Sequence, residues 1–224
     1  MVDAKALLNE IGKELQPVTE QLLRHPYMQA LEEGKIGRKN LRLFAGEQYN
    51  TIASDLKSVA YLVSRFGSVP SRDFFLAILQ GERAAWDALL TFAHALGLSE
   101  TQLREHEPLP GAHAYTCYMA WLALYASDAE IAAAYLVNFP AWGQNCGRLS
   151  RILTERFGLS EKEVAFFELF ASPPATFEAN ALSIIHNKQG LDRGTEPRLI
   201  QRAARLLQAY ELMYWDTLYR TSGP

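Results

Sequence analysis

The chain has 224 residues, with 22 Lys and Arg against 25 Asp and Glu and a formal net charge of −3. That balance excludes a strongly basic surface, so we expect neither nucleic acid nor an anionic membrane as a partner. One sizeable core fits this length, and no linker rich in Pro, Gly or Ser divides the chain, which predicts a single domain over residues 1–224.

Three sequence features bear on the cellular compartment. Cys117 and Cys146 fall on apolar segments without the spacing of metal ligands, so we expect reduced core thiols. The N-terminal stretch is an acid-bearing amphipathic helix without the basic start and apolar run of a signal peptide. No apolar window is long enough for a membrane span. The sequence therefore predicts a cytoplasmic protein.

Helical periodicity extends almost from end to end without strand-like alternation, which predicts an all-α fold. The first helix should end before Pro26, because Pro disfavours helix at the preceding residue. A second long helix is expected from about Lys39 to Arg65. One side of it carries small polar groups and is either a binding face or a weakly polar solvent face: Glu47, Asn50, Ser54 and Ser58.

Two further helices each carry an acid where an apolar residue is expected. Glu82 lies in the apolar arc of a helix from about Arg72 to Leu96, and Glu211 is the only charge on the apolar side of a helix from about Pro197 to Arg220. A buried, unpaired carboxylate costs several kcal/mol. Each acid should therefore be paired, protonated or directed into a polar cavity. Between these helices we expect a helix near Glu161 to Phe170 and a segment from about Phe177 to Lys188.

The stretch from Ala114 to Leu149 is nearly free of charge and predicts two central helices. Tyr115 and Tyr118 lie one turn apart on the first of them. Asn138 and Asn145 lie two turns apart on the second, on the same stripe as Trp142. Buried amides need hydrogen-bond partners, which either the bundle or a ligand must supply.

The second central helix should also be bent. Pro140 removes a backbone hydrogen bond from its interior, and Gly143 and Gly147, one turn apart, should let another backbone approach. In a helical bundle such a bend can open room for a ligand.

Carboxylates, tyrosines and amides in a helical interior predict a pocket for a small, flat, nitrogen-bearing molecule. A carboxylate accepts paired hydrogen bonds from an exocyclic amine and a ring nitrogen, while aromatic rings stack on the ligand. Burial raises the pKa of a glutamate toward neutrality, as general acid or base work requires. The alternative is a structural network in which Glu82 and Glu211 satisfy each other or a buried cation.

Other chemistries lack their motifs in this sequence. There is no Glu-x-x-His pair, phosphate-binding glycine loop or nucleophile elbow. Neither cysteine has an activating base beside it in the sequence. We therefore expect no metal and no cofactor.

The order of several short motifs along the chain resembles the TenA (thiaminase II) family, within the haem-oxygenase-like fold. The motifs are HPYMQAL, Glu47-Gln-Tyr, the Glu82 helix, PGAHAYTCYM, FPAWG-x-x-CG and a terminal YELMYWDTLY. The likeness covers nearly the whole chain. It implies a compact helical bundle, a homo-oligomer (dimer or tetramer), and a pocket that binds thiamin-derived aminopyrimidines and cleaves or deaminates them for salvage.

The resemblance assigns roles to individual positions. Glu211 matches the family's C-terminal catalytic glutamate, and Tyr115 matches a pocket tyrosine. Glu47 stands where the family has an aspartate that binds the pyrimidine, and Asn50 stands where a tyrosine is expected. Phe170 lies where another active-site tyrosine would be.

Two departures from the family pattern concern the chemistry. The family pattern Pro-Cys-Glu-Trp-Gly is replaced here by Phe139-Pro140-Ala141-Trp142-Gly143, so the nucleophilic cysteine is missing. A branch of the family that lacks this cysteine uses glutamate on modified aminopyrimidines. Glu82 matches the first carboxylate ligand of an iron-binding branch, but Leu89 replaces the histidine two turns on. We therefore predict no di-iron site.

The leading hypothesis is a protein that binds a small heteroaromatic amine and acts as a metal-free C–N hydrolase, with Glu211 and Glu82 as the catalytic carboxyls. The alternative is a non-catalytic binding or regulatory protein on the same scaffold. The expected substrate-binding residues are Glu47, Asn50, Tyr115, Tyr118, Asn138, Trp142 and Asn145.

Overall fold

The computed structural model describes residues 4–68, 70–186 and 196–224, and this part of the chain is all α-helical, as predicted. The helices are α1 (Ala4–Leu23), α2 (Pro26–Glu32), α3 (Arg38–Arg65), α4 (Ser71–Ala95), α5 (Glu100–Arg104), α6 (Pro110–Tyr125), α7 (Asp128–Phe157), α8 (Glu161–Ala171), α9 (Phe177–His186) and α10 (Pro197–Ser222).

Several of these boundaries follow from local capping chemistry. The side chain of Ser127 accepts the Glu130 backbone N–H while the Glu130 carboxylate reaches back to the Ser127 N–H, which starts α7. Gly158 ends the same helix with φ at 67°, a left-handed conformation that favours glycine. The predicted segment from Phe177 to Lys188 forms helix to His186, and residues 187 and 188 lie outside the described residues.

The buried apolar side chains form two clusters at opposite ends of the bundle. The aromatic cluster is built around Phe44, Phe92, Phe166, Phe167 and Trp215. The alanine-rich cluster is built around the N-terminal half of α7 and includes Phe74, Phe75, Met119, Ala133 and Leu207. A boundary between the two clusters crosses the middle of the molecule.

Four long helices pass from one cluster to the other, and each carries a buried polar residue at the crossing. These residues are Asp55 on α3, Glu82 on α4, Asn138 on α7 and Glu211 on α10. On α10, for example, Leu207 belongs to the alanine-rich cluster and Tyr214 to the aromatic cluster. The polar residues thus form a layer between two apolar halves, which we call the polar layer.

Helix α7 continues through Pro140 to Phe157 without interruption. The predicted close approach at Gly143 is confirmed, since a Cβ atom there would lie 2.7 Å from the carbonyl oxygen of Phe170. At Gly147 a Cβ atom would make only an ordinary contact with Ala171, at 3.5 Å. Glycine at 143 therefore lets α8 pack directly against the middle of α7.

One sequence expectation about the core is wrong. Cys146 is buried, but Cys117 is exposed on α6, because it falls on the outer side of a helix whose surface is also apolar.

Within the described part of the chain, no helix combines the length and apolarity that crossing a membrane demands.

We predict that Gly143→Ala destabilises the protein. The added methyl group must displace the Phe170 backbone, and overpacking of this kind lowers the free energy of unfolding by about 1–3 kcal/mol. Gly81→Ala is the matched control, because no atom lies within 4 Å of a Cβ at that helical position. It should raise stability by up to about 1 kcal/mol. Urea unfolding measures both, and equal effects at the two sites would contradict the assignment.

Candidate functional site

A small chamber of about 40 Å³ lies within the polar layer. Helices α3, α4, α6, α7 and α10 supply most of its wall, and α8 contributes one ring. The residues that line it are Gln48, Thr51, Ile52, Asp55, Glu82, Tyr115, Tyr135, Asn138, Phe139, Trp142, Phe170, Glu211 and Tyr214.

Glu211 is held in place by two N–H donors. The Nδ2 of Asn138 donates to its Oε2 at 2.5 Å, and the indole Nε1 of Trp215 donates to its Oε1 at 3.1 Å. The hydroxyl of Tyr115 donates to the other end of the Asn138 amide, at 3.4 Å. Burial raises the pKa of Glu211 to about 7, although the two hydrogen bonds favour its ionised form.

Asp55 and Glu82 form a second acidic group, without comparable support. Each is 7% exposed. Burial raises the pKa of Asp55 to about 7. Burial raises the pKa of Glu82 well above its ordinary value, and the neighbouring charge of Asp55 raises it further. Two interacting carboxyls in one buried chamber disfavour simultaneous ionisation, so at least one of them should carry a proton near neutral pH.

The chamber also contains polar atoms that the described part of the protein leaves without a partner. The Oδ1 of Asp55 and the hydroxyl of Tyr135 are buried and accept or donate no hydrogen bond there. No Lys, Arg or His is among the described residues that line the chamber. Buried polar groups normally have partners. The chamber is therefore suited to a ligand that donates hydrogen bonds or carries positive charge.

A wider groove of about 650 Å³ adjoins the chamber, between α4, α8, α9 and residues 172–176. Both spaces are lined by Glu82 and by three aromatic rings, those of Phe139, Trp142 and Phe170. The three rings are only partly buried, and Trp142 meets Phe170 edge-on with centroids 5.8 Å apart. These rings form the partition between the chamber and the groove.

Five of the residues expected to form the site from sequence line the chamber. They are Glu82, Glu211, Tyr115, Asn138 and Trp142. Their catalytic or ligand-binding roles stay predictions. Asn138 has a structural duty as well, because it connects Tyr115 to Glu211.

Glu47 and Asn50 do not reach the chamber. The Oε1 of Glu47 lies 2.9 Å from His106 Nε2 and accepts the Leu109 N–H at 2.9 Å, so this buried carboxylate fixes the segment before α6. The Nδ2 of Asn50 donates to the carbonyl oxygens of Gly46 and His106. Both side chains are used by the fold because the α5–α6 connection crosses this face of α3.

Tyr118 and Asn145 are also placed outside the chamber. The ring of Tyr118 stacks on Trp121 with centroids 5.8 Å apart and packs against Tyr210. The Nδ2 of Asn145 donates to the carbonyl oxygen of Leu22 at 3.1 Å, which ties α7 to the end of α1. For Asn145, the bundle supplies the partner that a buried amide requires.

Sequence reasoning missed Asp55, although the signal that found Glu82 and Glu211 also applies to it. Asp55 follows the buried Ile52 by three positions and precedes the buried Val59 by four, so it adjoins an apolar arc. Four further lining residues had no such signal, because Gln48, Thr51, Tyr135 and Tyr214 are common in amphipathic helices.

The donor set does not fit a metal centre. Within the described residues, no group of three or more His, Cys, Asp or Glu side chains is arranged to hold a metal ion. Leu89, at the position of a histidine in the iron-binding branch, is fully buried in the aromatic cluster.

Comparison with known proteins identifies the family. The model of the TENA/THI-4/PQQC family matches residues 12–221. The chain belongs to the TENA/THI-4/PQQC family. One curated relative is the 4-aminobenzoate synthase of Chlamydia muridarum, which is 27% identical over 121 residues that cover 52% of this chain and 51% of the relative. The match thus spans about half the length of that protein.

Solved structures support the fold of this TENA/THI-4/PQQC protein. A TenA homologue from Pseudomonas syringae superposes with a TM-score of 0.78 at 15% identity, over 95% of this chain and 92% of that one. A domain with a haem-oxygenase-like fold from Shewanella denitrificans superposes with a TM-score of 0.74 at 14% identity, over 99% and 94% of the two chains. The predicted haem-oxygenase-like bundle is confirmed.

We predict that Asp55→Asn makes the protein relatively more stable as the pH rises. A carboxyl whose folded pKa is raised stabilises the fold below its unfolded pKa of about 4, and that contribution is lost as the pH rises toward about 7. Asparagine cannot ionise. The free energy of unfolding of the variant minus that of the wild type should therefore increase between pH 4.5 and 7 by up to about 1.4 kcal/mol per pH unit.

Urea unfolding at intervals of half a pH unit measures this difference, with Asp87→Asn on the exposed side of α4 as the matched substitution. A difference that stays flat or decreases with pH would show that Asp55 is ionised at low pH in the folded protein.

Proposed function

We propose that the chamber binds a small heteroaromatic amine of the aminopyrimidine type. The observation that carries the proposal is the set of three buried carboxyls, Asp55, Glu82 and Glu211, that line one chamber without a basic side chain among the described residues of its wall. An amine and an adjacent ring nitrogen match carboxyl groups in hydrogen bonding and in charge. Tyr115 and Trp142 offer faces for stacking.

Binding requires the chamber to widen. A space of about 40 Å³ accommodates water molecules, whereas small-molecule pockets usually enclose about 300–1,000 Å³. Rotation of Phe139, Trp142 and Phe170 would join the chamber to the groove beside it, since these rings line both. The ligand would then enter from the α4–α8 side.

We further propose C–N hydrolysis by general acid–base catalysis, in which the two acidic groups have different roles. The N–H donors of Asn138 and Trp215 favour the ionised form of Glu211, so it acts as the base. Burial disfavours ionisation of Glu82, and the neighbouring Asp55 adds to this effect, so Glu82 holds a proton and acts as the acid. Environments that separate the protonation states of nearby carboxyls assign such roles.

Water attacks the ligand directly in this reaction, so no covalent intermediate with the protein forms. Glu211 removes a proton from water as the water oxygen forms a bond to the ligand carbon. The C–N bond breaks with its electron pair on nitrogen, and Glu82 protonates the leaving amine. At the end of the reaction Glu82 has lost a proton to the amine and Glu211 has gained one from water. Proton exchange with solvent restores both groups. Cys146 does not take part, because it is buried outside the chamber and burial raises its pKa.

A non-catalytic binding protein is the second candidate. It is favoured by the absence of cysteine from the described chamber wall.

The name of the Chlamydia relative suggests a different activity, the synthesis of an aminobenzoate. An aminobenzoate carries a carboxylate, however, and the acidic chamber offers it no positively charged partner.

Cytoplasmic location and homo-oligomerisation stay predictions. A surface that suits oligomerisation is the exposed apolar face of α6, where Trp121, Leu124 and Tyr125 lie at helical spacing.

We predict that Glu211→Gln lowers the kcat for hydrolysis of an aminomethyl-aminopyrimidine by at least about 100-fold while binding persists, because glutamine keeps the size of the side chain but cannot accept a proton. Release of the amine product measures turnover, and calorimetry measures binding. Glu10→Gln, on the exposed side of α1, is the matched control.

Unchanged turnover in Glu211→Gln would contradict its role as base. Saturable binding by the wild type without turnover of any compound in the class would favour the non-catalytic alternative instead.

A further inference from the structure

The groove outside the ring partition is much larger than the chamber that it adjoins. Its volume is about 650 Å³, which is within the usual range for a small-molecule pocket. Its wall is largely hydrocarbon, including Phe74, Ile78, Leu169, Pro173 and Phe177. Phe177 stacks on the partition ring of Phe139 with centroids 5.0 Å apart. The groove is therefore continuous in its lining with the aromatic wall of the chamber.

Small residues on α4 keep the groove open. Ala77, Gly81 and Ala84 face it, and no atom lies within 4 Å of a Cβ built at Gly81. Glycine inside a helix is destabilising relative to alanine. At Gly143 the contact with α8 explains the glycine, but no such contact exists at Gly81. Its effect is to leave space in the groove.

The inner end of the groove carries an acidic group that lacks a partner. Glu82 is 7% exposed and lines both spaces. No residue in the described part of the chain donates a hydrogen bond to it or forms an ion pair with it. A buried carboxyl of this kind points to a ligand group that donates hydrogen bonds at the junction of chamber and groove.

The outer part of the groove offers no positive charge to an anion. Glu168 is the other ionisable residue among the described residues that line it, and none of them is Lys, Arg or His. A phosphate or carboxylate there would lose hydration and face two acidic side chains. An uncharged hydrocarbon group would gain from burial instead.

We propose that the groove is a second subsite, which takes an uncharged apolar substituent of the ligand whose amine lies at Glu82. This inference rests on the proposed function and defines its substrate class. The substrates are amines that carry an alkyl or aryl extension, and phosphorylated compounds are excluded from the site.

The test is the affinity of primary n-alkylamines from methylamine to hexylamine, measured by calorimetry on the full chain. Burial of each methylene should tighten binding about three- to fourfold until the groove is filled. An amine of the same length that ends in a carboxylate should bind more weakly than the methyl-ended one.

The variant Gly81→Leu should abolish most of the gain per methylene by filling the groove. Leucine favours helix more than glycine does, so the variant should fold, and circular dichroism checks this. Gly81→Ala should retain part of the gain. Gly12→Leu is the matched control, since a Cβ at this position on α1 also meets no atom within 4 Å.

An affinity independent of chain length, or an equal gain in Gly81→Leu and the wild type, would overturn the subsite. An aminopyrimidine assayed in parallel separates this outcome from failure of the proposed function. Aminopyrimidine binding with no chain-length dependence refutes the groove alone, whereas a normal chain-length series without aminopyrimidine binding refutes the proposed function alone. If no probe binds, both are wrong.

Discussion

The organisation of this bundle depends on a buried polar layer that crosses the middle of its long helices. Asp55, Glu82, Asn138 and Glu211 each lie where a helix passes from the alanine-rich cluster to the aromatic cluster. An ionised carboxyl in such surroundings costs several kcal/mol unless it is paired. The protein meets this cost at Glu211 with two N–H donors, and at Asp55 and Glu82 by favouring protonation. A chamber suited to amines follows from that difference.

The two apolar clusters pack against the polar layer from both sides and include the rings beside its proposed access route. In the aromatic cluster, Trp215 both packs in the core and donates to Glu211, so the orientation of the carboxylate is tied to core packing. The partly buried rings of Phe139, Trp142 and Phe170 separate the chamber from the groove, and Trp142 itself packs on Trp215 with ring centroids 5.5 Å apart. The groups proposed for chemistry thus lie in the polar layer, and the partition rings lie where a ligand would enter.

Helical periodicity along the sequence was enough to predict the all-α fold. A different signal predicted part of the site. An acid in an apolar arc signals a buried charge, and this identified Glu82 and Glu211; consistent use of it would have identified Asp55. Glu47, chosen from a polar stripe and a family position, and Asn145, chosen as a buried amide, do not reach the chamber. Their partners, the Leu109 N–H and the Leu22 carbonyl oxygen, lie 62 and 123 residues away, so no local pattern shows that the fold already satisfies them.

In the proposed function, the polar layer, and not the groove alone, recognises the nitrogen atoms of the ligand. A crystal structure of the protein with a bound aminomethyl-aminopyrimidine would show which groups contact these nitrogen atoms. We expect nitrogen donors of the ligand within about 3 Å of carboxyl oxygens of Asp55, Glu82 or Glu211, with the partition rings displaced. A ligand held only in the groove or on the surface, with these carboxyls and rings in their present positions, would contradict the proposed function.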